Sequence, residues 1–162
     1  MTLVTLPMLL RLIAAGTRMP NWVNEAYADY AGRLTADYRL ELKEVPLGQR
    51  GSGSPQQAIA KEGERMQAAI PARAFVVALQ VTGKSMTSEQ LAKFLETRAR
   101  DGRDVAFLIG GPDGIAPELD AKADLRWSLS ALTLPHGMAR VMVAEALYRA
   151  VSIVKGHPYH RA

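Results

Sequence analysis

Cysteine is absent from the 162-residue chain. Without thiols there is no disulfide framework and no Cys-based zinc or iron-sulfur site, and a reducing compartment, the cytoplasm, is the expectation. Long apolar runs are missing too. No stretch reaches the roughly twenty apolar residues that a bilayer demands, so no membrane association is expected. The apolar N-terminus, Met1 to Ala15, lacks a Lys or Arg in front of it and is interrupted by Pro7 and Arg11, which speaks against a secretory signal and for a buried first strand. Two glycine signatures are also lacking. The chain carries neither the G-x-G-x-x-G spacing of dinucleotide-binding folds nor the Gly-Lys-Ser/Thr ending of a phosphate-binding loop, which counts against a nucleotide-dependent oxidoreductase or an NTPase.

What is present is the mixture of an ordinary folded domain, with 48% hydrophobic and 22% charged residues. Twenty Lys and Arg against 16 Asp and Glu give a net charge of +4, a mild tilt towards polyanionic partners.

Periodicity divides the chain into alternating strand and helix patterns. Met8 to Ala15 reads as a strand that turns at Gly16 to Pro20 into a helix with apolar positions Val23, Ala26, Tyr27, Tyr30 and Leu34. Leu40, Leu42 and Val45 alternate with charged residues, as in a strand near a sheet edge. Pro46 to Pro55 holds three glycines, two serines and two prolines, which predicts a mobile loop with Arg50 available to a phosphate. A helix follows over Ile59 to Ile70, and Ala74 to Val81 is a nearly continuous apolar run, the pattern of a strand covered on both faces. Thr87 with Gln90 three positions on forms a capping box for a helix that ends near Gly102. Val105 to Ile109 is a further strand opening onto Gly110 to Gly114, Pro117 to Ala123 a short helix, and Trp127 to Leu134 the last expected strand. This order defines an α/β domain with a mostly parallel sheet, whose ligands sit at the carboxyl ends of the strands. Those ends are Leu79 to Gly83, Gly110 to Gly114 and Leu132 to His136.

Two C-terminal segments carry further information. From Gly137 to Val154 the pattern is apolar almost all round, with Arg140, Glu145, Arg149 and Ser152 as a narrow polar stripe. Such a helix must be buried, one side on the sheet and the other against a second subunit, so a symmetric homodimer is expected. The tail, Lys155 to Arg161, combines cations, imidazoles and an aromatic ring, a composition suited to stacking on RNA bases and contacting phosphates. His157 and His160 have no evident third ligand for a metal.

Five of these segments, taken in order, carry a family resemblance: Ala15-Gly16-Thr17-Arg18-Met19-Pro20-Asn21-Trp22-Val23, Asp101-Gly102-Arg103-Asp104, Leu108-Ile109-Gly110-Gly111-Pro112-Asp113-Gly114, Trp127-Ser128-Leu129-Ser130-Ala131-Leu132-Thr133-Leu134-Pro135-His136 and His157-Pro158-Tyr159-His160-Arg161. Together they resemble the RlmH family, ribosomal large-subunit pseudouridine N3-methyltransferases of the SPOUT superfamily. The resemblance runs from about Met8 to Arg161, so residues 1–7 read as an N-terminal extension before a single domain over 8–162.

The resemblance implies an α/β fold with a C-terminal trefoil knot, and S-adenosylmethionine bound there in a bent form by Leu79, Gly110, Leu129, Ser130, Ala131, Leu132, Thr133 and Leu134. It implies a homodimer with the active site at the subunit interface, and ribosomal RNA, in the large subunit or the assembled ribosome, as partner. His157, Tyr159, His160 and Arg161 then contact substrate, and His136, His157, Tyr159 and His160 are the candidates to assist loss of the N3 proton. The sulfonium is itself an activated donor, so no metal is required. The alternative compatible with composition is a non-enzymatic RNA- or ribosome-binding module on the same domain.

Overall fold

In the computed structural model, which describes residues 7–34, 37–51 and 53–161, five parallel strands form one sheet in the order β2-β1-β4-β3-β5. The strands are β1 (Met8–Ala15), β2 (Tyr38–Val45), β3 (Phe75–Ser85), β4 (Val105–Ile109) and β5 (Leu125–Ser128). The helices are α1 (Asn21–Arg33), α2 (Pro55–Ala69), α3 (Ser88–Arg100), α4 (Pro117–Ala121) and α5 (His136–Val154), and a 3-10 turn (Pro158–Arg161) follows. Apart from Pro7, the extension expected over residues 1–7 lies outside the described residues.

Side chains alternate across the sheet, so each strand feeds two cores. On one face Leu10, Leu12, Val77, Val105, Phe107 and Trp127 pack with α1, α3 and α5. On the other, Ile13, Ala15, Ala78, Ala106 and Leu108 meet α2 and α4 through Met66, Ala69 and Leu119. β4, paired with β1 on one side and β3 on the other, is buried along its whole length. β2 is an edge strand, as its charged alternation predicts. The capping box is formed: Gln90 N donates to Thr87 Oγ1 at 3.0 Å, and Thr87 N donates to Gln90 Oε1 at 2.8 Å. Among the described residues no helix is long and apolar enough to cross a membrane.

The structure corrects two strand assignments. The strand expected over Trp127 to Leu134 is Leu125–Ser128, and the chain then leaves the sheet. Ser128 Oγ donates to the Ser130 carbonyl at 3.0 Å, and Leu132 N donates to Ser130 Oγ at 3.0 Å. These serine hydroxyls offer the backbone local partners that compete with a ladder, and β5 is itself an edge. β3 conversely runs on to Ser85: its pairing with β5 jumps from Leu79 opposite Trp127 to Lys84 opposite Trp127, and Gln80 to Gly83 bulge out between. A Cβ on Gly83 would stand 2.7 Å from the Arg126 backbone, so the return of β3 to β5 requires glycine.

Two substitutions measure these layers. Phe107→Ala, at a fully buried position beside Trp127, is expected to cost about 3 to 5 kcal/mol in urea unfolding. Thr87→Ala removes one half of the capping box and is expected to cost about 1 kcal/mol.

Candidate functional site

At the carboxyl ends of the strands the chain encloses a cavity of about 480 Å³, a size suited to a small organic ligand. Four segments supply most of its wall. The loop after β1 contributes Gly16, Thr17 and Met19, the bulge of β3 Leu79 to Val81, the loop after β4 Gly110 to Pro112 and Gly114, and the segment after β5 Leu129, Ser130, Leu132, Thr133 and Leu134. Trp127 and Ile109 lie among them, with His136 and Ala139 from the first turn of α5. The lining is apolar side chains interleaved with backbone, which suits a flat heterocycle better than a phosphate.

Of the residues expected to hold the cofactor, Leu79, Gly110, Leu129, Ser130, Leu132, Thr133 and Leu134 line this cavity, whereas Ala131 is exposed and outside the lining. Gly110 has to be glycine. A Cβ there would collide with the backbone of Gly114, which folds back against it in the tight turn where Gly114 N donates to the Gly111 carbonyl at 3.0 Å.

Behind the wall lies Arg140, counted with the polar stripe of α5 in the sequence but 1% exposed in the structure. Its Nη1 donates to Glu44 Oε2 at 2.6 Å, its Nη2 to the Gly16 carbonyl at 2.8 Å, and its Nε to His136 Nε2 at 2.9 Å. A charge this deep is tolerated because it is paired and hydrogen-bonded. His136 is thereby constrained. Its Nε2 accepts, so the ring is neutral with its proton on Nδ1, which donates to the Gly110 carbonyl at 3.0 Å. Burial, and then the adjacent guanidinium, lower the pKa of this imidazole. With both ring nitrogens engaged and a cation in contact, His136 is an architectural group and a poor proton acceptor.

A second ionic cluster fastens the segment expected to be a mobile loop. Arg50 is not free for a phosphate: its Nη1 donates to Glu62 Oε2 and its Nε to Asp113 Oδ2, each at 2.7 Å. Glu62, 2% exposed, also accepts from Gly48 N at 2.9 Å. The β2–α2 segment is thus clasped to the glycine loop, with Leu47 at the cavity wall. Ser52 of that segment lies outside the described residues.

The tail is elsewhere. His157 and Arg161 are exposed, and His160 and Tyr159 half-buried, at the far end of α5. The Tyr159 ring centroid lies 4.5 Å from that of Tyr148, the Arg149 guanidinium covers it at 5.0 Å, and its hydroxyl donates to Glu145 Oε1 at 3.3 Å. Burial first, then hydrogen bonding and nearby carboxylate charge, push its phenol pKa up to about 12, so it stays protonated at neutral pH. His157 Nδ1 accepts from Tyr159 N at 3.2 Å. Nineteen helical residues at about 1.5 Å each separate the two ends of α5 by about 28 Å, so within one chain His157, Tyr159, His160 and Arg161 do not meet the cavity. Sequence reasoning missed Arg140, Glu44 and the Gly16 to Met19 wall. The available signal was an arginine four residues after a histidine, in the first half of a helix with few polar residues.

A three-layer α/β domain with an apolar, backbone-lined cavity at the carboxyl ends of a parallel sheet places the chain in the class of α/β proteins whose ligand sites lie at that edge of the sheet. Residues 8–160 match the family described as "Predicted SPOUT methyltransferase". The chain is 53% identical over 155 residues to the "Ribosomal RNA large subunit methyltransferase H" of Laribacter hongkongensis, covering 95% of this chain and 99% of that one. To the protein of the same name from Alkalilimnicola ehrlichii it is 52% identical over 156 residues, 96% and 100% of the two chains. The chain belongs to the SPOUT methyltransferases and, within them, to the RlmH family. A crystal structure from Neisseria gonorrhoeae assigned to a methylase family has the same fold at a TM-score of 0.53 and 14% identity, over 89% of this chain and 83% of that one.

The state of His136 predicts a pH dependence of stability. Its folded pKa lies below the ordinary value of about 6.5, so the unfolded chain takes up a proton first as the pH falls. Its contribution is therefore fully present above about pH 6.5, declines as the pH drops from there towards the folded pKa, and is level below it. The urea midpoint should fall between pH 8 and pH 5 by more in the wild type than in His136→Asn; equal falls in the two proteins would contradict the assignment.

Proposed function

We propose that the protein transfers the methyl group of S-adenosylmethionine to N3 of a pseudouridine in large-subunit ribosomal RNA. The observation that carries the reading is the cavity itself, built from the strand ends of a SPOUT methyltransferase and large enough for a nucleoside-sized donor. The residues present fit that donor: Gly110 and Gly111 let backbone approach a flat ring, Leu79, Leu129, Leu132 and Leu134 give it apolar walls, and Ser130 and Thr133 add hydroxyls. The trefoil threading expected of the family belongs to the same reading, with the segment after β5 as the strand of the knot that walls the cavity.

When bound, the sulfonium supplies an activated methyl group; the protein's part is to hold the two reactants in line and to keep water out. Transfer to N3 would break the methyl–sulfonium bond, leaving a neutral thioether to depart, and the N3 proton would pass to solvent or to a side chain. His136 is committed to Arg140 and Gly110, and the Tyr159 phenol is already protonated, which directs attention to His157 and His160. Both stand on the tail, far from the cavity of their own chain.

That separation supports a homodimer in which the tail of one subunit completes the cavity of the other. Exposed apolar side chains are available for such a contact near the cavity: Trp22 on α1, Met138 on α5 and Leu132 on the wall are 53%, 40% and 72% exposed. Arg161 and the net charge of +4 suit a polyanion, and the names of the relatives point to the ribosomal large subunit, hence to work in the cytoplasm. A non-enzymatic RNA-binding module has no use for the cavity.

Calorimetry with S-adenosylmethionine tests the reading directly. The protein alone should bind it without metal or RNA, and methyl groups should then appear on large-subunit RNA at a pseudouridine identified by mass spectrometry. No heat at millimolar donor would remove the cofactor assignment, and methylation of another nucleotide the substrate assignment.

The tail has its own test. A chain ending at Gly156 should fold, sediment as a dimer and bind S-adenosylmethionine, yet fail to methylate ribosomes. Mixed with Gly110→Ala protein under conditions that exchange subunits, it should regain activity, because one of the two sites then has an intact cavity and an intact tail. Wild-type turnover by the truncated chain, or sedimentation of the wild type as a monomer at micromolar concentration, would overturn the shared site.

A further inference from the structure

The contacts of Arg140 extend to two of the four cavity walls. Its Nη2 holds the carbonyl of Gly16, at the start of the loop that supplies Thr17 and Met19. Its Nε reaches His136, and the opposite edge of that ring holds the carbonyl of Gly110. The charged group facing this pair from the sheet is Glu44, at the end of β2. An imidazole can hold a carbonyl through Nδ1 and accept at Nε2 in one neutral tautomer alone; in the other tautomer Nδ1 is a bare acceptor facing a carbonyl oxygen, and in the imidazolium Nε2–H points at a guanidinium.

We propose that Arg140 is a positioning residue of the cavity: by donating to His136 Nε2 it selects the Nδ1–H imidazole, whose one remaining donor anchors the Gly110 carbonyl and sets the glycine loop against the ligand. His136 is the relay and touches the cavity wall; Arg140 acts through it and never meets the ligand. The relay uses the planar fork of arginine. A lysine at this position keeps the charge beside Glu44 but cannot donate to Glu44, Gly16 and His136 along three fixed directions. Protonation of His136 breaks the relay, so acid should loosen the glycine loop before it unfolds the domain.

The consequence for binding rests on the reading of the cavity as the methyl-donor site; the consequence for the imidazole does not. The chain has three histidines, so nitrogen-15 imidazole spectra are simple to assign, His136 being the ring missing from His136→Asn. In the wild type this ring should be a pure Nδ1–H tautomer whose titration midpoint lies below about pH 6.5, the ordinary value. In Arg140→Lys the ring should show mixed tautomers and titrate nearer that midpoint. The dissociation constant for S-adenosylmethionine should rise about tenfold to a hundredfold, and further in acid, while circular dichroism and sedimentation match the wild type.

Should Arg140→Lys fail to fold, the relay is still tested by substitution at its other end. His136→Leu, which lacks a donor for Gly110, should weaken binding more than His136→Asn, which retains one. A wild-type ring that is Nε2–H, or equal losses in the two His136 variants, would overturn the proposal. So would unchanged binding and an unchanged ring in a folded Arg140→Lys protein. Failure of the wild type to bind S-adenosylmethionine while its His136 ring behaves as described would instead sink the donor assignment and leave the relay standing.

Discussion

A guanidinium with no access to water has to find partners for its donors inside the protein, and that requirement organises the ligand end of this molecule. Arg140 finds them on Glu44 at the end of β2, on Gly16 at the end of β1 and on His136 one turn before it in α5. Through the imidazole the network continues to Gly110 at the end of β4. Three strand termini and the start of the last helix are thus referred to one side chain. Removing Glu44 would leave the buried guanidinium without its counter-charge; a fully buried pair loses about 3 to 5 kcal/mol in this way, and the 33% exposure of Glu44 makes the cost here smaller. Arg11, itself 27% exposed, bonds Glu41 and the Ala69 carbonyl at the flank of the sheet and is not part of the cavity wall.

Around that fixed point the cavity is made by backbone as much as by side chains. The turn at Gly110 to Gly114 and the close return of β3 at Gly83 both occupy space that a Cβ would take. The same economy explains why no acid, base or metal cluster marks the site in the sequence. On the reading proposed above, a donor that arrives activated needs shape and alignment from its protein, and shape is carried by Leu, Gly, Ser and Thr at strand ends.

The opposite end of α5 is ionic and aromatic. Tyr148, Tyr159, Glu145, Arg149 and Arg33 interlock there, and the tail is seated on them. Cavity and tail are therefore two separate surfaces of one chain, joined by the length of a single helix. On the reading proposed above, a second copy laid across that helix brings the tail of each chain to the pocket of the other.

How much of this was legible beforehand follows from the range of the forces involved. Alternating and helical periodicities are local, so the βα order, the edge position of β2, the buried run of β4 and the Thr87–Gln90 cap all follow from the sequence, whereas in β3, read as covered on both faces, only Val77 and Ala78 are buried and Val81 is 50% exposed. Seven of the eight expected cofactor positions line one cavity because the ends of parallel strands converge on one side of a sheet. Motif similarity supplied the family. The end of β5 was hidden because Ser130 captures the Leu132 amide, an outcome that hydrophobicity does not encode. The clasp of Arg50 on Glu62 and Asp113 was hidden because a glycine-rich composition says nothing of which distant carboxylates lie within reach. Arg140 was hidden most fully: its partners Glu44 and Gly16 stand 96 and 124 residues away, and a cation on a helix reads as solvent-facing until packing brings a carboxylate and a carbonyl to it. Local sequence determined which segments are strands and helices and where their ends converge; tertiary structure alone decided which polar groups were buried together there, because desolvation and pairing depend on neighbours that the chain brings together only by folding.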